Sequence, residues 1–232
     1  MIEIYGLKME QVLPENQLEV LLTRLPENTQ KEIKKLWSYE GAVRKLAGEY
    51  LLRYMVSRKT NLVFEEILVD KDRHGKPFLK NPGEVFLNVS HSGKWVVGAV
   101  GGCPLGIDIE KKKERSFKPA ERFFTEPEKQ LFFRKTREQK LEFFIDRWTL
   151  QESYVKAVGK GISLWSVGLD VIYYGESNGK IVCRDQNLPD AFFKKFDMDK
   201  EYKMTVNSLE DKEFGQPEVK DIVLFFNEMM KR

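Results

Sequence analysis

The chain has 232 residues, of which 41% are hydrophobic and 32% are charged. This length and composition suit one large or two small folded domains and exclude wholesale disorder. The 39 Lys and Arg residues nearly balance the 36 Asp and Glu residues, so the net charge is +3. That charge is low for a dedicated nucleic-acid-binding domain, although it permits a local basic groove for a small phosphorylated ligand.

The sequence predicts neither export nor membrane insertion. The longest uncharged stretch, residues 95–107, is well short of the ~20 apolar residues that span a bilayer. Glu3 falls where a signal peptide would carry its apolar core. The two cysteines, Cys103 and Cys183, are too few for a disulfide framework and lack metal-ligand spacing. We therefore expect a cytoplasmic protein with no membrane association.

Hydrophobic spacing predicts the same order of elements in both halves of the chain. The first half should contain a strand at 2–9, helices at 26–37 and 41–58, and strands at 67–70, 85–89 and 95–100. The second half should contain a strand at 105–110, a helix at 138–158 that stops at Gly159, strands at 169–174, 180–183 and 202–206, and a closing helix at 219–230. We predict an α/β (α+β) fold of two similar subdomains, residues 1–102 and 103–232. Each has a small antiparallel-rich sheet on a long helix, and the active site lies in the cleft between them.

Residues 105–110 place two acids on one face of a predicted strand. Because side chains alternate along a strand, Asp108 and Glu110 point to the same side, and the apolar residues next to them point into a core. Neighbouring carboxylates favour a cation between them, and Mg²⁺ prefers such oxygen ligands. Gly106, on the acidic face, favours the close approach of a ligand. The alternative is a half-exposed strand with solvated acids.

The predicted helix at 138–158 carries Glu152 and Lys156 one turn apart on a shared face. One interpretation is a surface salt bridge of about 0.3–0.5 kcal/mol. The other is a third carboxylate for a metal, next to a cation for a phosphate.

Two turns carry further polar side chains. Residues 88–93 place His91 between hydroxyl groups at the end of a strand, which suits a turn that presents donors to an anion. A Ser–His nucleophile pair is a rival interpretation, but no Gly-x-Ser-x-Gly elbow accompanies it. A satisfied histidine in a strand-ending turn also stays open. The turn at 74–78 holds Lys76 beside Pro77, where a solvated lysine is the usual case.

Four segments, in this order and spacing, resemble the successive signatures of the 4′-phosphopantetheinyl transferase family. They are Gly-Lys-Pro at 75–77, Asn-Val-Ser-His-Ser at 88–92, Gly-Ile-Asp-Ile-Glu at 106–110 and Trp-Thr-Leu-Gln-Glu-Ser-Tyr-Val-Lys at 148–156. The length and the N-terminal half resemble the Sfp-type branch, a monomeric pseudo-dimer with halves related by a pseudo-two-fold axis. The resemblance extends over residues 2–164.

The resemblance implies an activity and a set of site residues. Enzymes of this family transfer the 4′-phosphopantetheine arm of coenzyme A to a serine of an apo acyl or peptidyl carrier protein, release adenosine 3′,5′-bisphosphate and require Mg²⁺. It implies that Glu152 and Lys156 are catalytic, with Glu152 as candidate general base, and that Asp108, Glu110 and Glu152 hold Mg²⁺. The implied coenzyme A-binding residues are Lys45, Gly75, Lys76, Pro77, Asn88, Ser90, His91, Asp108 and Lys156. The 3′-phosphate should meet His91 and Lys45, with Lys31 or Arg44 as alternatives to Lys45.

One residue departs from the family pattern, and one surface is expected to bind the carrier protein. The family often has Lys immediately before the helical Glu, and here Gln151 removes that cation from the reaction centre or the carrier surface. Because carrier proteins are generally acidic, residues 115–134 form a candidate docking surface with basic and apolar residues. Its apolar members are Phe117, Phe123, Phe124, Leu131 and Phe132, and filling a core is the alternative role for each phenylalanine.

Other functions use parts of the same site. A coenzyme A-binding module would bind the ligand without modifying a carrier protein. A metal-dependent phosphohydrolase would use the same acids to degrade coenzyme A without a carrier. Nucleic-acid binding is the weakest alternative. A steep dependence of oligonucleotide affinity on salt would be needed to support it.

Overall fold

The structure is a computed structural model that describes residues 1–81, 83–113, 117–118, 124–161 and 168–231. The first part of the chain forms β1 (Ile2–Lys8), α1 (Glu15–Thr23), α2 (Glu27–Lys34), α3 (Tyr39–Lys59), a 3₁₀ helix (Phe64–Glu66), β2 (Val69–Lys71), β3 (Pro77–Leu79), β4 (Phe86–Ser92), β5 (Trp95–Gly101) and β6 (Leu105–Lys111). The remainder forms α4 (Glu126–Phe133), α5 (Arg137–Val158), β7 (Leu169–Tyr173), β8 (Asn178–Cys183), β9 (Ala191–Asp199), β10 (Tyr202–Ser208), β11 (Phe214–Asp221) and α6 (Ile222–Met230).

Two main sheets carry the fold. The first has the strand order β11-β1-β5-β4, and the second has the order β6-β10-β9-β8-β7. All neighbouring strands are antiparallel except β1 and β11, which pair in parallel. Helix α3 packs on the first sheet, and α5 packs on β6 and β10 of the second. The predicted α/β class, with antiparallel-rich sheets on long helices, is confirmed.

Capping residues define both long helices. Ser38 accepts a hydrogen bond from the backbone amide of Gly41 at the start of α3, and Thr136 caps α5 in the same way through Gln139. Gly159 ends α5 in a left-handed conformation, with φ of 76°, as the sequence predicts. These caps therefore fix where α3 begins and where α5 begins and ends.

The C-terminal segment packs with the first part of the chain. Strand β11 joins the first sheet beside β1, and α6 packs into the core beneath α3. Phe225 and Phe226 make edge-on ring contacts with Tyr54 and Tyr50 of α3. The last two elements therefore join the first part of the chain, β11 by strand pairing and α6 by burial of its apolar side chains, and the division at residue 102 stays a prediction.

Several element bounds differ from the sequence predictions. Helix α1 and strands β9 and β11 were not predicted, and α2 is shorter than the predicted helix at 26–37. The predicted closing helix began at Val219, which lies in β11, and α6 begins only at Ile222. The spacing of apolar residues continues from the end of β11 into α6, so it does not mark the boundary. Asp221 sets the start of α6, because it accepts hydrogen bonds from the amides of Val223 and Leu224.

An apolar layer joins the two sheets. Trp95, Val97 and Ala99 of β5 and Ile107 and Ile109 of β6 are buried in one cluster there. Both cysteines are buried and free. No helix among the described residues is both long and apolar enough to cross a membrane.

Candidate active site

A cleft of about 940 Å³ lies where the two sheets and both long helices meet. It is lined by every site residue that the sequence predicts: Lys45, Gly75, Lys76, Pro77, Asn88, Ser90, His91, Asp108, Glu110, Glu152 and Lys156. Arg44 also lines it, whereas Lys31 forms an exposed pair with Glu27. The tertiary structure thus brings together segments that are far apart in sequence.

Side-chain hydrogen bonds join the edge strands β4 and β6 beside the cleft. Ser90 Oγ donates to Asp108 Oδ1 at 2.8 Å, and Ser92 Oγ donates to Glu110 Oε2 at 3.0 Å. Asn88 Oδ1 accepts from the Ile107 amide at 3.0 Å. These alternate residues of β4 share one face because side chains alternate along a strand, so β4 orients both carboxylates of β6.

Ser92 is a site residue that sequence reasoning missed. Its Oγ also accepts from the Lys111 amide at 3.0 Å. The period-two spacing of Asn88, Ser90 and Ser92 was the available signal, because it places the three on one strand face.

Helix α5 approaches β6 closely at Gly106. A Cβ at Gly106 would lie 2.2 Å from the Ser153 carbonyl oxygen and 2.4 Å from the Ala157 amide nitrogen. Gly106 was predicted to admit a ligand, but the group that approaches it is the backbone of α5. The close contact brings Glu152 and Lys156 over the acidic face of β6.

Lys156 binds across the cleft rather than along its own helix. Its Nζ lies 2.6 Å from Asp108 Oδ1, 3.1 Å from Ser90 Oγ and 3.2 Å from the Ile107 carbonyl oxygen. The alternative of a surface salt bridge with Glu152 is therefore wrong, because the cation pairs with the buried Asp108.

Of the carboxylates that line the cleft, Asp108, Glu110 and Glu152 lie close enough for the charges of Asp108 and Glu110 to act on Glu152. Burial, and then the negative charges of Asp108 and Glu110, raise the pKa of Glu152 to about 7 against the opposing effect of Lys156. Burial also raises the pKa of Asp108, although Lys156 and Ser90 oppose the shift. Asp108 is buried, not half exposed as the solvated alternative required. Burial and like charge therefore disfavour the ionised forms of Asp108 and Glu152.

Lys76 bridges the cleft from the turn before β3. Its Nζ donates to the carbonyl oxygens of Leu105 at 3.2 Å and Ala157 at 3.1 Å. Burial lowers its pKa to about 8, although Asp72 opposes the shift. Gly75, with φ of 82°, and Pro77 shape the turn that presents this lysine. The solvated-lysine alternative is wrong.

His91 lies near three cations of the cleft, where Lys45 also pairs with the lining acids Glu32 and Glu49. Desolvation, and then the charges of Arg44, Lys156 and Lys45, lower the pKa of His91 in β4. Lys45 Nζ contacts Glu49 Oε1 at 2.8 Å and lies on the cleft-facing side of α3. Such a group of cations attracts a phosphate.

Two other predictions concern side chains that are buried in the structure. Gln151 is buried and does not line the cleft, and its effect in place of the family's lysine stays a prediction. Phe124 and Phe132 are buried in an aromatic cluster with Phe144, and they cannot form a docking surface.

The rest of the proposed docking surface is only partly described. Phe117 packs against the aromatic cluster, whereas Leu131 is exposed, as is the unpredicted Phe133. Phe123 lies outside the described residues.

Comparisons with known proteins agree with this geometry. The sequence model of the 4′-phosphopantetheinyl transferase superfamily matches residues 104–207, and that of the 4′-phosphopantetheinyl transferase N-terminal region matches residues 14–102. The chain is 31% identical over 204 residues to the 4′-phosphopantetheinyl transferase Sfp of Bacillus subtilis, covering 88% of this chain and 91% of that one. The chain belongs to the 4′-phosphopantetheinyl transferase family. All four segments that resemble the family contribute residues to the lining of the cleft.

One further relative has the same name, and one solved structure is also similar in part. The 4′-phosphopantetheinyl transferase gsp of Aneurinibacillus migulanus is 35% identical over 162 residues, covering 70% of this chain and 68% of that one. The holo-[acyl-carrier-protein] synthase of Thermotoga maritima covers 47% of this chain and 64% of its own, with 26% identity and a TM-score of 0.34. That score is too low to bear on the fold.

Proposed function

We propose that this protein transfers the 4′-phosphopantetheine group of coenzyme A to a serine of an apo acyl or peptidyl carrier protein. The serine oxygen bonds to the phosphorus that bears the pantetheine arm, and the bond from that phosphorus to the bridging oxygen breaks. Adenosine 3′,5′-bisphosphate leaves, and a base takes the serine proton. One observation supports the proposal most strongly: the three carboxylates assigned to the metal line the same cleft as the cations assigned to the phosphates.

The cations of the cleft suit the phosphates of coenzyme A. Lys156 and Lys76 would face the pyrophosphate, while His91 and Lys45 would meet the 3′-phosphate. Phosphoryl transfer depends mainly on position and charge neutralisation, so these residues can act without covalent chemistry. Ser90 and Asn88 would act chiefly by holding β6, since their side chains bond to Asp108 and Ile107.

The carboxylates fit a divalent cation. Asp108 Oδ2 is buried and has no hydrogen-bond partner among the described residues. Among the described residues, no three or more His, Cys, Asp or Glu side chains are grouped so that they could hold a metal ion as they stand. Lys156 Nζ donates to the other carboxylate oxygen of Asp108, Oδ1, and offsets the charge of this acid. Asp108, Glu110 and Glu152 would hold Mg²⁺, which when bound neutralises the pyrophosphate charge.

Glu152 is the proposed general base. It is half buried, lines the cleft and has a pKa raised to about 7, which suits proton acceptance near neutral pH. We further propose that the enzyme is a cytoplasmic monomer that meets its carrier protein transiently.

Mass spectrometry of an apo carrier protein tests the function directly. With enzyme, coenzyme A and Mg²⁺, the carrier should gain one phosphopantetheine group on serine. Chelation of divalent ions should abolish the gain, because the pyrophosphate then has no divalent cation to neutralise its charge. Unchanged carrier with bound coenzyme A would indicate a binding module, and coenzyme A breakdown without a carrier would indicate a phosphohydrolase.

Replacing Lys76 with methionine should raise KM for coenzyme A by about 10–100-fold, the usual effect of losing a charged hydrogen bond, and spare kcat. Lysine binds phosphate only when protonated, and the pKa of Lys76 is lowered to about 8. Wild-type affinity should therefore fall as pH rises through this value, and the Lys76→Met variant should lose that dependence. Steady-state kinetics between pH 6.5 and pH 9.5, a range set around that pKa, measures both effects.

Lys59→Met is the control for Lys76→Met, because Lys59 pairs with Glu3 outside the cleft. It should leave KM and its pH dependence unchanged. A fall in kcat with unchanged KM in the Lys76→Met variant would mean that Lys76 contacts only the transition state.

A further inference from the structure

Helix α3 contains two glycines, Gly41 and Gly48. In the described chain, neither packing nor backbone conformation requires glycine at position 48. A Cβ at Gly48 would meet no atom within 4 Å, whereas a Cβ at Gly41 would lie 2.8 Å from Ser38 Oγ. Gly41 also donates its amide to the cap of α3. Gly48 has no positive φ that would require glycine. Glycine is unfavourable in a helix interior, because it loses more backbone freedom than any other residue on folding.

The position of Gly48 in the cleft suggests what the missing side chain is for. Gly48 lines the cleft, as do Lys45 one turn before it and Leu52 one turn after it. Residues three or four apart share a helix face, so the glycine makes a notch in the cleft wall between a cation and an apolar side chain. Ile67 and Val69 also line the cleft.

We propose that Gly48 is a ligand-contact position, kept without a side chain so that the nucleotide half of coenzyme A can lie against the backbone of α3. This inference rests on the proposed function. The nucleotide half is favoured over the pantetheine arm because it carries the 3′-phosphate, which matches the cations Arg44 and Lys45 beside the notch. The pantetheine arm is uncharged beyond its phosphate, so it would form no ion pair with these cations.

The proposal separates fold stability from ligand affinity. A methyl group at Gly48 fits the free protein and favours the helix, so Gly48→Ala should raise Tm by about 1–4 °C. The same methyl group would occupy the space that the nucleotide needs. Because the backbone of α3 is rigid, it cannot move aside to make room for both groups. The affinity for the nucleotide should therefore fall by about tenfold or more.

Calorimetric titration of the full-length protein with two fragments of coenzyme A tests the proposal. Gly48→Ala should weaken binding of adenosine 3′,5′-bisphosphate by about tenfold or more and leave binding of 4′-phosphopantetheine unchanged. Gly48→Leu should weaken the nucleotide fragment further. Ser57→Ala is the control on the same helix, because Ser57 bonds to the Tyr54 carbonyl oxygen outside the cleft. It should change neither dissociation constant.

Two results would overturn the proposal. In the first, Gly48→Ala raises Tm but binds both fragments as the wild type does, so the notch is not a contact. In the second, it weakens both fragments equally, so the effect is on the whole cleft. Wild-type protein that binds neither fragment would instead refute the proposed function, and the Gly48 proposal with it.

Discussion

Replacing Glu152 with glutamine is expected to lower kcat by about 10²–10⁴-fold, the usual contribution of a general base. Glutamine keeps the size and one acceptor oxygen but cannot accept the serine proton. The wild-type rate should rise with pH as Glu152 ionises, because its pKa is raised to about 7 and only the carboxylate is a base. A bound cation would move this rise to lower pH. In the variant that rise should disappear, leaving a slow rate that climbs with hydroxide.

Glu110→Gln is the matched comparison for Glu152→Gln. Glu110 accepts from Ser92 and is assigned to the metal alone, so its variant should recover activity as Mg²⁺ is raised. Asp108 is a poorer control, because it also pairs with Lys156. Equal rescue of both glutamine variants by Mg²⁺ would show that Glu152 acts only as a metal ligand. Initial rates of carrier modification across Mg²⁺ concentration and pH measure each effect.

Gly106→Ala is expected to destabilise the protein and impair catalysis together. The added methyl group would lie 2.2 Å from the Ser153 carbonyl oxygen, and a helix backbone cannot move aside as a flexible side chain can. Overpacking of this kind costs about 1–3 kcal/mol or more, which lowers Tm by several degrees. Displacing α5 by about 1 Å would also separate Glu152 from Asp108, and such a misplacement can reduce the rate by about 10²-fold.

Gly102→Ala is the control for Gly106→Ala. Its Cβ would have only an ordinary contact, 3.9 Å from the Glu84 carbonyl oxygen. It should leave Tm and activity near those of the wild type. Differential scanning calorimetry and the rate of carrier modification measure the two effects. Wild-type values of both for Gly106→Ala would show that β6 and α5 are not held in their contact by this glycine.

The sequence predicted the elements whose pattern is local. The strand with Asp108 and the helices α3 and α5 follow from apolar spacing and from the stop at Gly159. The cleft residues were also identified, because four short segments in a fixed order carry the family resemblance. Strand β11 was missed, because it pairs with β1 from the other end of the chain, and no local pattern records that partner.

What the sequence by itself determined was therefore the family and the residues of the cleft. The tertiary structure decided their partners. Spacing along a helix allowed Glu152 and Lys156 to pair, but the close contact at Gly106 places Lys156 2.6 Å from the buried Asp108. A buried charge needs a partner more than an exposed one does, because it has lost its solvation by water. That competition between burial and helix spacing depends on long-range packing, and a residue pattern cannot show its outcome.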